Sequence, residues 1–312
     1  KEGTLQKVFI EKSSTLKKQF LSFCDEKSRI VIQAQLGGRL LINMAGGVIE
    51  NAGICLDRCF GLPFIPGSAF KGNTRSVALW NIHEEKDQKK KERLLKIAML
   101  IFGFGKEDVK MTKNNEKCGD FAWAAGSLIQ NAIKELKEKK IEELRGCVCF
   151  LPAYPTTTPK IVVDMINPHY KNYYAGKHRK ANEDEENLLP NYFPAVEEGS
   201  SFLFIAFLRH KPPFDDISTE EITETLKKWI NEAITCKGIG AKTAAGYGWF
   251  APEGEKVMTL PPTQGGGRTG KSPDMLSEAD KVLAQFPYGL STSANFPVAV
   301  PQMAKLSDED LK

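Results

Sequence analysis

Lys237 and Lys242 edge a stretch almost without side-chain bulk, Cys236–Phe250, which reads CKGIGAKTAAGYGWF. Glycine serves where positive φ or close backbone approach is needed, and successive exposed N–H groups form concave sites for anions such as phosphate. The chemistry that suits Lys237, Gly238, Gly240, Lys242 and Gly246 is therefore the binding of an anion such as phosphate. A glycine-rich turn leading into a last strand, 247–250, fits the same residues. A second cationic pair favours the anion reading. Lys71 and Arg75 stand at i and i+4 in Leu62–Arg75, where Ser68 is expected to cap a helix whose free N–H groups attract anions.

The irregular segment Pro152–Pro194 interleaves aromatics with cations: His169, Tyr170, Tyr173 and Tyr174 precede Lys177-His178-Arg179-Lys180. That mixture suits unpaired bases and phosphates, and a long loop whose tyrosines pack on the body fits equally. Catalysis at a ribose 2′-OH needs a general base and acid, for which His169 or His178 with Lys177 are available. His83, His169, His178 and His210 have no paired spacing that singles out a catalytic couple. Cys55/Cys59 and Cys147/Cys149 lack a CxxC partner set, so reduced structural thiols are expected and no metal or cofactor. Gly265–Ser272, GGGRTGKS, satisfies the phosphate-loop pattern literally. It is rejected because prolines precede it, Pro273 interrupts the required helix, and too little chain follows for the rest of a nucleotide-binding sheet.

The elements that must position these residues show in the periodicity. Arg29–Asn43 alternates apolar and polar residues as a half-buried strand, with a bend at Gly37 and Gly38. A helix follows from Ser68, then charge-dense 83–96 as a solvated face, and Gly103 as a helix stop. Strands are expected at 119–128, 147–151 and 161–164, and an amphipathic helix at 130–144. Ser200–Leu208, SSFLFIAFL, is the most continuously apolar run and is expected at the centre of a sheet. A helix at 219–233, capped by Ser218 or Thr219, delivers the chain to the glycine-rich stretch. Residues 1–252 form one domain in this reading; the Pro/Gly/Ser-rich 253–312 is a linker or tail with a short helix.

The 43 basic and 39 acidic residues leave a net charge of only +4, so any nucleic-acid contact must rest on local patches. The longest apolar run, Phe202–Leu208, is too short to cross a bilayer, and nothing near Lys1 has the form of a signal peptide; a cytoplasmic protein is expected.

Three stretches, GLPFIPGSAFKGNTR, DMINPHYKNYYAG and GIGAKTAAGYGWF, resemble in order and spacing the repeat-associated mysterious protein (RAMP) superfamily, and within it the sixth subunit of the type III-B CRISPR effector, the Cmr complex. The resemblance covers about Arg29 to Phe250. It implies an α+β, ferredoxin-like, RRM-related domain with an antiparallel sheet, helices on one face, long insertions and the glycine-rich loop near the end. It further implies a non-catalytic subunit that contacts guide RNA (crRNA) near its 3′ end and helps position target RNA in antiviral defence, beside other RAMP subunits and no membrane. Lys71, Arg75, Lys237, Gly238, Gly240, Lys242 and Gly246 would then meet phosphates, and His169 and Tyr170 a base or sugar, with Arg39 and Arg58 in support. The alternative within the same superfamily is a metal-independent endoribonuclease acting on guide or target RNA.

Overall fold

The computed structural model describes residues 2–22, 28–43, 53–111, 118–166, 176, 190–210 and 216–252, all within one compact unit, Lys1–Val257. His169, Tyr170, Lys177 and His178 lie outside the described residues, as does 253–312 with its phosphate-loop match.

In chain order the helices are α1 (Glu2–Ser22), α2 (Gly67–Glu84), α3 (Gln88–Phe102), α4 (Asp120–Ala125), α5 (Ile129–Glu138) and α6 (Thr219–Glu232). The strands are β1 (Arg29–Leu36), β2 (Gly103–Phe104), β3 (Leu144–Arg145), β4 (Val148–Phe150), β5 (Tyr154–Pro155), β6 (Ile161–Ile166), β7 (Asn191–Val196), β8 (Ser201–Leu208) and β9 (Phe250–Pro252). The main sheet runs β4-β8-β1-β9, antiparallel throughout, and β5 also pairs with β8. The apolar run Ser201–Leu208 is thus central, as its composition requires: a strand buried on both faces has no polar face to alternate with.

β1 does alternate. Ile30, Ile32, Ala34 and Leu36 are buried while Val31 and Gln35 are exposed, and Phe202, Phe204 and Ala206 of β8 pair with the buried set. On that face the Phe70 ring of α2 meets Phe204 edge-on at 5.2 Å and Phe150 at 5.1 Å, and Phe250 meets Phe204 at 5.1 Å. Arg93 of α3 clamps Asp216 and Glu221, which ties α3 to the start of α6, where Ser218 accepts from Glu221 N–H as the cap. A separate two-stranded sheet, β6 with β7, leaves Ile161, Val163, Met165 and Tyr192 exposed on one face.

Three expectations need correction. Residues 119–128 are α4 and a 3₁₀ turn rather than a strand: Phe121, Ala122, Ala124 and Ala125 bury a helical face, and alanine favours helix. The helix expected over 130–144 ends at Glu138, because Lys140 takes φ 59 and Ile141 N–H closes back on Leu136. The last strand starts at Phe250 and not at 247, since Gly248 sits at φ 70 within the preceding loop. The glycine stop at Gly103, φ 76, is present as expected.

Candidate nucleic-acid interface

The glycine-rich loop is built on α2 and on the segment that follows β1. Pro66, not Ser68, is the residue that opens α2, and no side chain caps the first turn. The fixed φ of proline and its extended ψ of 140° set the entry, and Gly67 follows because a Cβ there would lie 2.3 Å from the Phe150 carbonyl. Ser68 therefore falls inside the first turn. With Gly72, Ser76 and Trp80 it forms an exposed row at four-residue spacing, while Phe70, Thr74, Val77, Ala78 and Ile82 face the core.

α6 passes through a short π-helical turn, Ala233–Lys237, into the loop. Asn73 of α2 holds that junction by donating to the carbonyls of both Ala233 and Gly238, each at 2.9 Å. The loop then folds back on the chain after β1. Ala241 N–H donates to Leu41, Gly248 N–H to Arg39 and Gly37 N–H to Trp249, at 2.8, 2.8 and 2.9 Å. Ile239 N–H reaches Gly248 within the loop at 2.8 Å, and the Trp249 indole N–H donates to Thr243 at 2.8 Å. The glycines serve this self-packing. A Cβ at Gly238 would meet the Trp249 ring at 2.9 Å, at Gly240 the Leu41 carbonyl at 2.3 Å, and at Gly248 the Ile239 carbonyl at 2.0 Å. Gly246, at φ 91, has open space around it. Lys242 takes the left-handed φ of 57° without being glycine.

Between α2 and the loop lies an open groove of about 1230 Å³. Its lining includes Ser68, Gly72, Asn73, Ser76 and Trp80 from the helix, and Lys237, Gly238, Ile239, Gly240, Ala241 and Thr243 from the loop, with no carboxylate among the described residues that line it. The N–H groups of Gly240, Lys242 and Thr243 make no hydrogen bond among the described residues, and Lys237 and Lys242 have no ion pair among them. Further along the loop, Ala245, Gly246 and Tyr247 line a second cavity of about 380 Å³ together with Arg39, Asp164, Glu197 and Glu198. There Asp164 Oδ2 accepts from Arg39 at 2.8 Å and from the Tyr247 hydroxyl at 2.7 Å. Burial alone raises the Asp164 carboxyl, but the hydrogen bonds from Arg39, Tyr247 and its own neighbour Met165 N–H outweigh it and hold the group below the usual carboxylate range. Burial and the bond to Asp164 push the Tyr247 phenol up to about 12.

Asp164 thus fastens β6 to the loop, and the sign of its pH dependence follows. A carboxyl held below its unfolded value stabilises above about pH 4, and that contribution is lost as pH falls through the native value. Asp164→Asn is expected to cost about 1–2 kcal/mol at neutral pH, reduced by the partial exposure of Arg39. Urea midpoints should show the gap between the two proteins narrowing only as pH falls below the ordinary carboxylate range of about 4; a gap that widens in acid would contradict the tether.

The sequence-read cations divide accordingly. Lys237, Gly238 and Gly240 line the groove; Arg39 and Gly246 line the cavity beside Asp164; Lys242 lines neither; Arg58 is exposed in the turn after Asp57. Lys71 and Arg75 project from another face of α2. The Lys71 ammonium donates to the Phe102 carbonyl at 2.8 Å, and burial, then Arg75 and Arg145, lower its pKa. Arg75 pairs with Asp108 at 2.7 Å and with Asp120, and lies over the Phe121 ring. These two cations thus close the helical layer. Missed in the sequence were Trp80 and Trp123, exposed and in contact edge to face at 5.1 Å, with His83 stacked on Trp123 at 4.5 Å. The one signal available was Trp80 at the four-residue spacing from Ser68, Gly72 and Ser76.

The family model of the RAMP superfamily matches residues 38–251, which hold both sides of the loop and its groove. The CRISPR system Cmr subunit Cmr6 of Pyrococcus furiosus is 27% identical over 234 residues, 67% of this chain and 64% of the relative's length. Among solved structures, a chain of the Type III-B Cmr-beta complex bound to cognate target RNA aligns at TM-score 0.45 and 20% identity, over 77% of this chain and 62% of that one. The crystal structure of Cmr6 from Pyrococcus furiosus aligns at TM-score 0.37 and 23% identity, over 72% of this chain and 97% of that one.

Proposed function

Because this chain belongs to the RAMP superfamily, we propose that it is a non-catalytic, RNA-binding subunit of a type III CRISPR effector, built on a ferredoxin-like core. It holds the backbone of guide RNA near the 3′ end, beside other RAMP subunits, and helps position target RNA. The observation that carries this reading is the groove between α2 and the glycine loop: its described lining has no carboxylate, and it offers Lys237, hydroxyls and unbonded N–H groups to a polyanion. Backbone contacts of this kind give affinity and salt dependence without reading sequence. The name of the Pyrococcus furiosus relative supports the assignment to a Cmr-type complex. No helix among the described residues is long and apolar enough to cross a membrane.

The test is affinity purification of the tagged chain from its native host at moderate salt, with sequencing of the RNA and mass spectrometry of the proteins. Short RNAs sharing a repeat-derived 5′ segment, together with other RAMP subunits, are the expected result. Recovery of neither from intact lysate would return the loop to being a structural turn.

A further inference from the structure

The groove has an aromatic end. Trp80 and Trp123 are 45% and 40% exposed, which for two neighbouring indoles on α2 and α4 is a large apolar area left to water. Their rings are fixed by one another and by His83: Trp80 meets Trp123 at 81° and His83 at 86°, while His83 lies flat on Trp123 at 5°. A ring held this way has little rotamer freedom left to lose when something binds to it. Trp80 alone of the three also lines the groove, together with Lys237 and Thr243 on the loop side.

Along α2, Ser68 and Trp80 are about 18 Å apart at the helical rise per residue. The groove thus places the loop with its unbonded N–H groups and Lys237 opposite α2, whose lining row runs to a fixed aromatic surface at Trp80. A single-stranded nucleic acid site has this composition: a track for phosphates beside a ring on which bases stack. A polyanion fits the charge of the described lining, one lysine and no carboxylate.

We propose that Trp80, braced by Trp123 and His83, is the stacking platform for an unpaired RNA base whose phosphates run along the Lys237–Thr243 side of the same groove. This rests on the RNA-binding reading above and adds to it a base contact at a named residue. Because every base presents a π-face, the contact tolerates any sequence.

The test uses the full 312-residue chain and a labelled single-stranded RNA of roughly a dozen nucleotides, within the usual site size, with a matched oligomer of abasic positions, followed by fluorescence anisotropy at fixed salt. Trp80→Ala is expected to weaken binding of the intact RNA roughly 5- to 150-fold and to leave the weaker binding of the abasic oligomer unchanged. Trp80→Phe should restore most of the affinity. Equal affinity of wild type and Trp80→Ala for the intact RNA overturns the platform while leaving the RNA reading in place. Failure of the wild-type chain to bind either oligomer overturns both. Loss of a co-purifying protein with RNA affinity intact also overturns it, in favour of a protein-docking surface. Should Trp80→Ala fail to fold, the wild-type comparison of intact and abasic RNA decides: equal affinities overturn the proposal.

Discussion

Gly248→Ala is expected to lower stability by about 2–5 kcal/mol and to remove RNA binding with it. The left-handed φ of 70° costs a side-chain-bearing residue about 1–2 kcal/mol. The added Cβ, 2.0 Å from the Ile239 carbonyl, forces a backbone shift worth about 1–3 kcal/mol more. Because Gly248 N–H also holds Arg39, that shift breaks the seam between the loop and the chain after β1. Gly246→Ala is the control: its φ of 91° carries the conformational cost, but nothing lies within 4 Å of the new Cβ. Urea midpoints at unchanged m-value separate the two. Equal losses would mean that these glycines serve backbone freedom alone and not close packing.

The double substitution of Lys237→Ala, in the groove lining, with Lys242→Ala, on the same loop outside that lining, should reduce the slope of log affinity against log salt by up to about 1.4, two contacts at about 0.7 each for a single strand. At about 0.1 M salt that corresponds to a loss on the order of 25-fold. Neither lysine has an ion pair among the described residues, so little stability should go with it. Lys71→Met and Arg75→Gln should show the opposite pattern. Lys71 closes the carbonyl end of α3 at Phe102, and Arg75 joins α2 to Asp108 and Asp120, so stability should fall while the salt slope holds. A reduced slope in the second pair, with the first unchanged, would move the phosphate track to the other face of α2.

These cations mark where the sequence stops being legible. The i and i+4 spacing of Lys71 and Arg75 was plain, and so was a helix near Ser68. Their destinations were not, because a lysine's partner is decided by the fold: the Phe102 carbonyl, Asp108 and Asp120 are all distant in sequence. Local signals fared better. The apolar run Ser201–Leu208 placed the central strand, Ser218 capped α6, and the alternation after Arg29 gave the buried face of β1. Residues 119–128 misled because a mixture of alanines and aromatics has no decisive period over so few positions, and the helix buries Phe121, Ala122, Ala124 and Ala125 while leaving Trp123 exposed. The glycine stretch was legible as a close approach, but the molecule that approaches closest is the chain itself. Trp80 and Trp123 lie far apart in sequence, and only the packing of α4 on α2 makes them one surface.

Different parts of the loop line two compartments of opposite character, 237–243 a groove whose described lining has no carboxylate and 245–247 a cavity that also holds Asp164, Glu197 and Glu198. A polyanion bound along residues 237–243 would be repelled where residues 245–247 meet the carboxylates, so the loop favours displacement of such a ligand along the groove over displacement toward Tyr247.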